Sequence, residues 1–245
     1  MERDYATSPA NMFGALPSSI KLIPESEYDA RFDEQEEQKS SLEHLYLRGG
    51  QPAFVNLDQN GHGDCWAFST GQAIMLDRLK GNQPTVRMNP HGVAVMLNQL
   101  DGGWCGLSAK FVREHGMPVD GDLAGEWPGH SRSRSNDTPA LRAQMALHKV
   151  SEEFVDLTRD VSSQELTKRQ HITCLFNNQP CPSDYNWWGH SVCAIRYVRI
   201  APGDWGVLIL NSWQGWGRHG LGVLRGNKGT PDGALSILVS GAAEK

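Results

Sequence analysis

The chemistry in this sequence centres on Cys65. It stands in Gln59-Asn60-Gly61-His62-Gly63-Asp64-Cys65-Trp66-Ala67-Phe68-Ser69, where a glycine-punctuated loop runs into an apolar segment of helical period. A thiol at such a junction sits at a helix N-terminus, whose unpaired N–H groups and macrodipole favour negative charge. That setting lowers a thiol pKa and raises the thiolate fraction, as a sulfur nucleophile requires. A buried structural cysteine at the start of a core helix is the other reading these residues allow. If Cys65 is a nucleophile toward an amide carbon, three further parts are needed: a proton donor for the leaving amine, a group that orients that donor, and a site for the oxyanion.

The stretch resembles the nucleophile motif of the papain family of cysteine peptidases, with Gln59 ahead of Cys65-Trp66-Ala67-Phe68-Ser69. The resemblance implies the missing parts. His190, in Trp187-Trp188-Gly189-His190-Ser191-Val192, matches the family's catalytic histidine. Imidazole titrates near neutrality, and an ion pair with Cys65 would hold the thiolate. Asn211, in Leu208-Ile209-Leu210-Asn211-Ser212-Trp213, is similar to the asparagine whose side-chain carbonyl fixes the imidazole, with Trp213 shielding that bond. Gln59 would donate its amide N–H to the oxyanion beside the backbone N–H of Cys65. Gly102 and Gly103 match a Gly-Gly pair that lets the substrate backbone approach, which only a residue without Cβ permits. Gly189, just before the histidine, joins Gly102, Gly103 and Trp213 as a candidate substrate-binding residue.

Composition bounds the alternatives. A chain of 245 residues with 39% apolar residues can form one large domain or two subdomains sharing a cleft. A net charge of −5 gives no phosphate-tracking surface, so no nucleic acid is expected as a partner. No apolar run reaches the roughly 18 residues of a membrane span, and Met1-Glu2-Arg3-Asp4-Tyr5 lacks the layout of a signal peptide. The five cysteines are odd in number and sparse, which argues against a disulfide framework. Papain-like enzymes of oxidising compartments usually bridge a cysteine three residues before the nucleophile to one just before the Gly-Gly pair. His62 and Leu100 hold those positions here. Both partners are missing together, as expected of a protein in a reducing, cytoplasmic setting. Gly215-Trp216-Gly217-Arg218-His219-Gly220 formally matches a dinucleotide fingerprint but opens no helical pattern. No metal-ligand spacing is present, and no cofactor is implied.

Along the chain, residues 1–48 read as an acidic arm. Glu25, Glu27, Asp29, Asp33, Glu34, Glu36, Glu37 and Glu43 face only Arg31 and Lys39, so a solvated arm or surface helix is expected, or a docking arm for a partner. The arm is shorter than the propeptide of papain-like zymogens. Residues 49–245 would form the peptidase domain, helical over about 49–179 and β over about 180–245. A helix is expected from Cys65 to Gly81. Helix and strand are equally compatible with His91–Leu97. Further helices are expected from Leu107 to His115, from Thr138-Pro139 through Leu147 and Val150, and from Ser162-Ser163-Gln164-Glu165 to Asn177. Strands follow at Ser191–Ile200, Trp205–Leu210, Gly220–Arg225 and Ala234–Val239. The expected fold is α+β and papain-like: a helical half and an antiparallel β half with the active-site cleft between them.

Two departures from the family stand out. The run between Pro180 and His190 is short, so a wall of the cleft is abbreviated. Asp64, next to the nucleophile, adds negative charge that should oppose the thiolate. A β half abbreviated in this way resembles papain-fold proteins encoded by tailed bacteriophages. The function expected is therefore a cysteine endopeptidase acting on protein or peptide amide bonds through a Cys-His-Asn site and an acyl-enzyme. An amidase or transpeptidase acting on a cell-wall peptide would use the same site. The competing reading is a papain-fold structural component of a large assembly such as a virion, docked through the acidic arm, with weak or no catalysis.

Overall fold

The structure is a computed structural model and describes residues 16–17, 20–149, 154–158 and 163–237. Its helices are α1 (Tyr28–Gln38), α2 (Leu42–Tyr46), α3 (Cys65–Lys80), α4 (Pro90–Leu97), α5 (Cys105–His115), α6 (Pro139–Met145) and α7 (Gln164–Phe176). Its strands are β1 (Leu16–Pro17), β2 (Phe154–Asp156), β3 (Cys181–Tyr185), β4 (His190–Ala201), β5 (Asp204–Leu210), β6 (Leu221–Arg225) and β7 (Gly233–Ile237). They form one sheet in the order β1-β2-β7-β3-β4-β5-β6, antiparallel throughout except between β1 and β2. The fold is α+β, as the sequence implies.

α3 is the axis of the helical half. Every residue from Trp66 to Leu76 is buried, including Ser69, Thr70 and Gln72, because α4, α5 and β4 enclose it. Gly71 is required by this packing, since a Cβ there would lie 2.5 Å from the Pro90 ring of α4. Asn89 caps α4 through its side chain and Pro90 occupies the first turn, so the ambiguous run at His91–Leu97 is a helix, buried nearly all round. The other helices differ from expectation at their ends. α5 begins at Cys105 rather than Leu107. α6 stops at Met145 and tightens into a 3-10 turn over Ala146–His148. Ser163 is the N-cap of α7. The expected ends at Val150, Ser162 and Val239 lie outside the described residues.

Sheet and helices share two apolar layers. Alternate side chains of β5 point apart: Leu208 and Leu210 toward α3, Val207 and Ile209 toward α7. A bulge between Ala194 and Arg196 shifts the register of β4 against β5. β3 is a strand the sequence conceals, because Pro182 and Asp184 are poor strand formers. Its pairing with β7 begins only at Ser183.

The acidic stretch forms a surface helix, one of the two forms expected, rather than a free arm. From residue 20 onward it lies across the sheet, with Ile23 and Tyr28 buried against the α7 layer and Gln35 donating to the Phe176 carbonyl at 3.0 Å. Four of its eight carboxylates face two arginines of β4. Arg199 reaches Asp29 at 2.7 Å and Asp33 at 2.5 Å, and Arg196 reaches Glu36 at 2.5 Å and Glu43 at 2.6 Å. Residues 1–15 and 18–19 lie outside the described part. The Arg196 side chain is 3% exposed and stacks under Phe32, so its charge depends on those two acids. Arg196→Ala should cost about 2–3 kcal/mol in urea denaturation. That is below the loss for a fully buried pair, because both glutamates keep contact with water. Arg199→Ala, at a far more exposed pair, should cost less than Arg196→Ala in the same measurement.

Candidate active site

Cys65 is the first residue of α3 and is half-buried. Facing it is β4, which begins at His190. The two elements are pinned together by Ser69 of α3 and Ser191 of β4, whose hydroxyls lie 2.9 Å apart. His190 is buried and donates from Nε2 to Asn211 Oδ1 at 2.8 Å, leaving Nδ1 as the unused ring nitrogen. Trp213 stacks on the imidazole with centroids 4.2 Å apart, and Trp188 meets it edge-on at 4.8 Å. Asn211 follows β5, and Asn56 fixes its backbone: Asn56 Nδ2 donates to the Asn211 carbonyl at 2.6 Å, while Asn56 Oδ1 accepts from Gln72 of α3 at 2.9 Å. The asparagine is thereby tied to the helix that carries the thiol.

Gln59 spans the same two sides. Its Nε2 donates to the His62 carbonyl at 2.6 Å, and its Oε1 accepts from Ser212 Oγ at 2.7 Å. A primary amide has two N–H bonds, so one remains for a ligand. The Gln59 loop is in turn held to the glycine pair by Gly102 N–H, which donates to the Gly63 carbonyl at 2.7 Å. Gly102 has a left-handed φ of +83°, and a Cβ there would meet only open space. Gly103 has a different reason to be glycine, since a Cβ would strike the Trp66 indole at 2.7 Å. Gly189 closes the β3–β4 turn with φ +61° and is exposed. The short run before His190 is now explained: β3 and a tight turn pair Tyr185 directly with His190, so a hairpin stands where the family has a longer wall.

No family model matches the chain, and no curated protein sequence does. Solved structures do match. Digestive procathepsin L 3 from the larval midgut of Tenebrio molitor aligns with TM-score 0.55 and 15% identity over 87% of each chain. A structure from a study of the mite allergens Blo t 1 and Der p 1 aligns at 0.57 and 14%, over 89% of this chain and 96% of that one. Bromelain from Ananas comosus, in complex with the inhibitor E64, aligns at 0.54 and 16%, over 76% and 94%. These are papain-like cysteine proteases.

The chain has the papain fold.

Within this papain fold the electrostatics of the site run against the sequence expectation. Burial pushes the Cys65 thiol above its ordinary value, outweighing the Ser191 and Trp66 amides that pull it down; Asp184 and then Asp64 add to the upward push. Burial also lowers the His190 pKa, against the Asn211 bond that raises it. Both directions favour a neutral thiol beside a neutral imidazole over a preformed ion pair. Asp64 does little here because its carboxylate turns away, into a short bond with His91 Nδ1 of α4, both side chains being 1% exposed. The stronger carboxylate is Asp184 of β3, which the sequence reading missed. It accepts from the Cys105 backbone N–H at 3.1 Å and lies opposite Ser191 in the register. Ser191 was findable as the neighbour of His190, whereas Asp184 has no local signal. Two recesses involve residues of the candidate site: one of about 280 Å³ lined by Gly103 and Asp184, and one of about 360 Å³ bordered by Asn60, Gly61 and Trp213.

Proposed function

We propose that the protein is a cysteine peptidase that cleaves amide bonds of proteins or peptides through an acyl-enzyme on Cys65. The observation that carries this reading is the His190–Asn211 bond, roofed by Trp213, on a strand that the Ser69–Ser191 contact joins to the start of α3. His190 Nδ1 takes the thiol proton as sulfur attacks the carbonyl carbon, then returns it to the leaving amine. Water, deprotonated by the same nitrogen, releases the acid and regenerates the thiol. The Cys65 backbone N–H and the second Gln59 N–H would receive the oxyanion, each donor contributing about 2.7–4 kcal/mol to transition-state stability. The recesses lined by Gly103 and by Trp213 would give an extended chain room to bind.

The test is labelling by E64, the epoxide bound by bromelain in one of the matching structures, followed by peptide mass mapping. Cys65 should be modified well before Cys105, Cys174, Cys181 or Cys193, all of which are buried. His190→Ala should slow that labelling by about 100-fold or more. Because burial raises the thiol pKa, labelling of Cys65 by iodoacetamide should keep rising with pH above the ordinary thiol value of about 8.5. A plateau in acid would instead reveal a preformed ion pair. Reaction at Cys65 no faster than at the buried thiols would overturn the peptidase reading and leave a papain fold serving as a structural part of a larger assembly.

A further inference from the structure

Tyr28 of α1 is 7% exposed, and its hydroxyl has no hydrogen-bond partner. It lies beside the Arg169 guanidinium of α7, whose Nε–H is also buried without an acceptor. Both residues line one cavity of about 440 Å³ between α1, α7 and strands β4 to β6. The cavity is on the face of the sheet turned away from α3, where Tyr197, Val207 and Leu224 join the α7 layer. None of Gln59, Cys65, His190 and Asn211 lines it. Two donors left unsatisfied in one enclosed space are costly to the protein alone, and an acceptor from outside would relieve both.

We propose that this cavity binds a carboxylate carried on an apolar or aromatic body, the carboxylate accepting from the Tyr28 hydroxyl and Arg169 Nε–H. A guanidinium beside a hydroxyl matches that group in charge and geometry. The rest of the lining suits the body: Trp205 and Tyr197 stack at 5.0 Å, with Val207 and Leu224 nearby. The volume falls within the range of small-ligand sites. Glu25, Glu165 and Asp204 line the same cavity, against Lys168 and Arg169. The charge of these carboxylates opposes a dianion such as phosphate and leaves a singly charged acid as the favoured ligand. A small free acid and the C-terminal residue of a peptide share this chemistry.

The experiment is titration calorimetry on the whole chain with Cys65 blocked by iodoacetamide, so that the cleft takes no part. The probes are N-acetyl-phenylalanine, its amide, and a hexapeptide ending in phenylalanine with a free or amidated terminus. The acids should bind about tenfold or more tightly than the amides, and Tyr28→Phe and Arg169→Gln should each remove most of that difference. Tyr28→Phe should keep or raise the melting temperature, because the hydroxyl it deletes has no partner. Binding of the free acid alone assigns a small-molecule ligand; tighter binding of the free-ended peptide assigns a chain terminus. Equal binding of acid and amide, indifference to both substitutions, or no binding by any probe overturns the proposal.

Discussion

His91→Ala should destabilise the protein by about 3–5 kcal/mol, although His91 makes no contact with substrate in the proposed mechanism. The reason is Asp64. Its carboxylate is fully buried, one oxygen has no partner, and the other bonds only to His91 Nδ1. Removing the imidazole leaves a carboxylate in the interior next to the nucleophile. His62 stacks on His91 at 4.8 Å and is itself held by Arg132 at 2.6 Å, so it cannot replace His91 without leaving that bond. Urea denaturation of His91→Ala, Asp64→Asn and the double variant checks this. The double variant should recover much of the loss, because no buried charge remains. Equal losses in His91→Ala and the double variant would show that the cost is lost packing of the ring. In either outcome the rate of Cys65 alkylation reports how far the start of α3 has moved.

A second large effect concerns acid stability. His171 of α7 is fully enclosed, bonded through Nε2 to Ser183 Oγ at 3.1 Å, and burial pushes its pKa down to about 3. The unfolded chain binds this proton near pH 6.5, whereas the folded chain refuses it until about pH 3. Stability is therefore complete above the unfolded value and falls as pH drops through that window, by a total on the order of 4 kcal/mol. His171→Gln keeps a donor toward Ser183 and cannot titrate. Between pH 7 and 5 the wild-type protein should lose about 2 kcal/mol more than the variant in urea denaturation. Identical losses would mean that the folded protein already protonates His171 in that range.

Legibility in the sequence followed the range of the interactions. α3 could be read because its apolar period, its stop at Gly81 and the Cys65 motif are all local. The strands from Ser191 onward were equally plain, being rich in valine, isoleucine and leucine. His190, Asn211 and Gln59 were visible only through resemblance, and the structure brings them to one place. What could not be read depends on partners far along the chain. The acids of α1 and α2 look solvent-bound until Arg196 and Arg199 are placed above them. Asp64 looks like a charge beside a thiol until His91 turns it aside. The thiol pKa was expected to be low from the helix terminus alone, yet enclosure by β4 decides its direction, and no helix propensity records enclosure. β3 was hidden because Pro182 and Asp184 oppose a strand locally, while β4 and β7 supply the pairing.

The clamp of Arg196 on Glu36 and Glu43 also bears on how the chain reaches this state. α2 contributes Leu42 and Tyr46 to the layer around α3, and the Tyr46 hydroxyl donates to the His219 carbonyl at 2.9 Å. During synthesis these early helices emerge long before β4 and the turn at His219 exist. Their apolar faces must then wait, since short helices are marginal without a packing partner. Contacts between such distant segments form slowly, because the intervening loop has to close first. The helical half and the β half are therefore not two units that fold and then meet. α3 can receive Leu42 and Tyr46 early, but Glu36, Glu43 and the Tyr46 hydroxyl gain their partners only when β4 and the turn at His219 arrive.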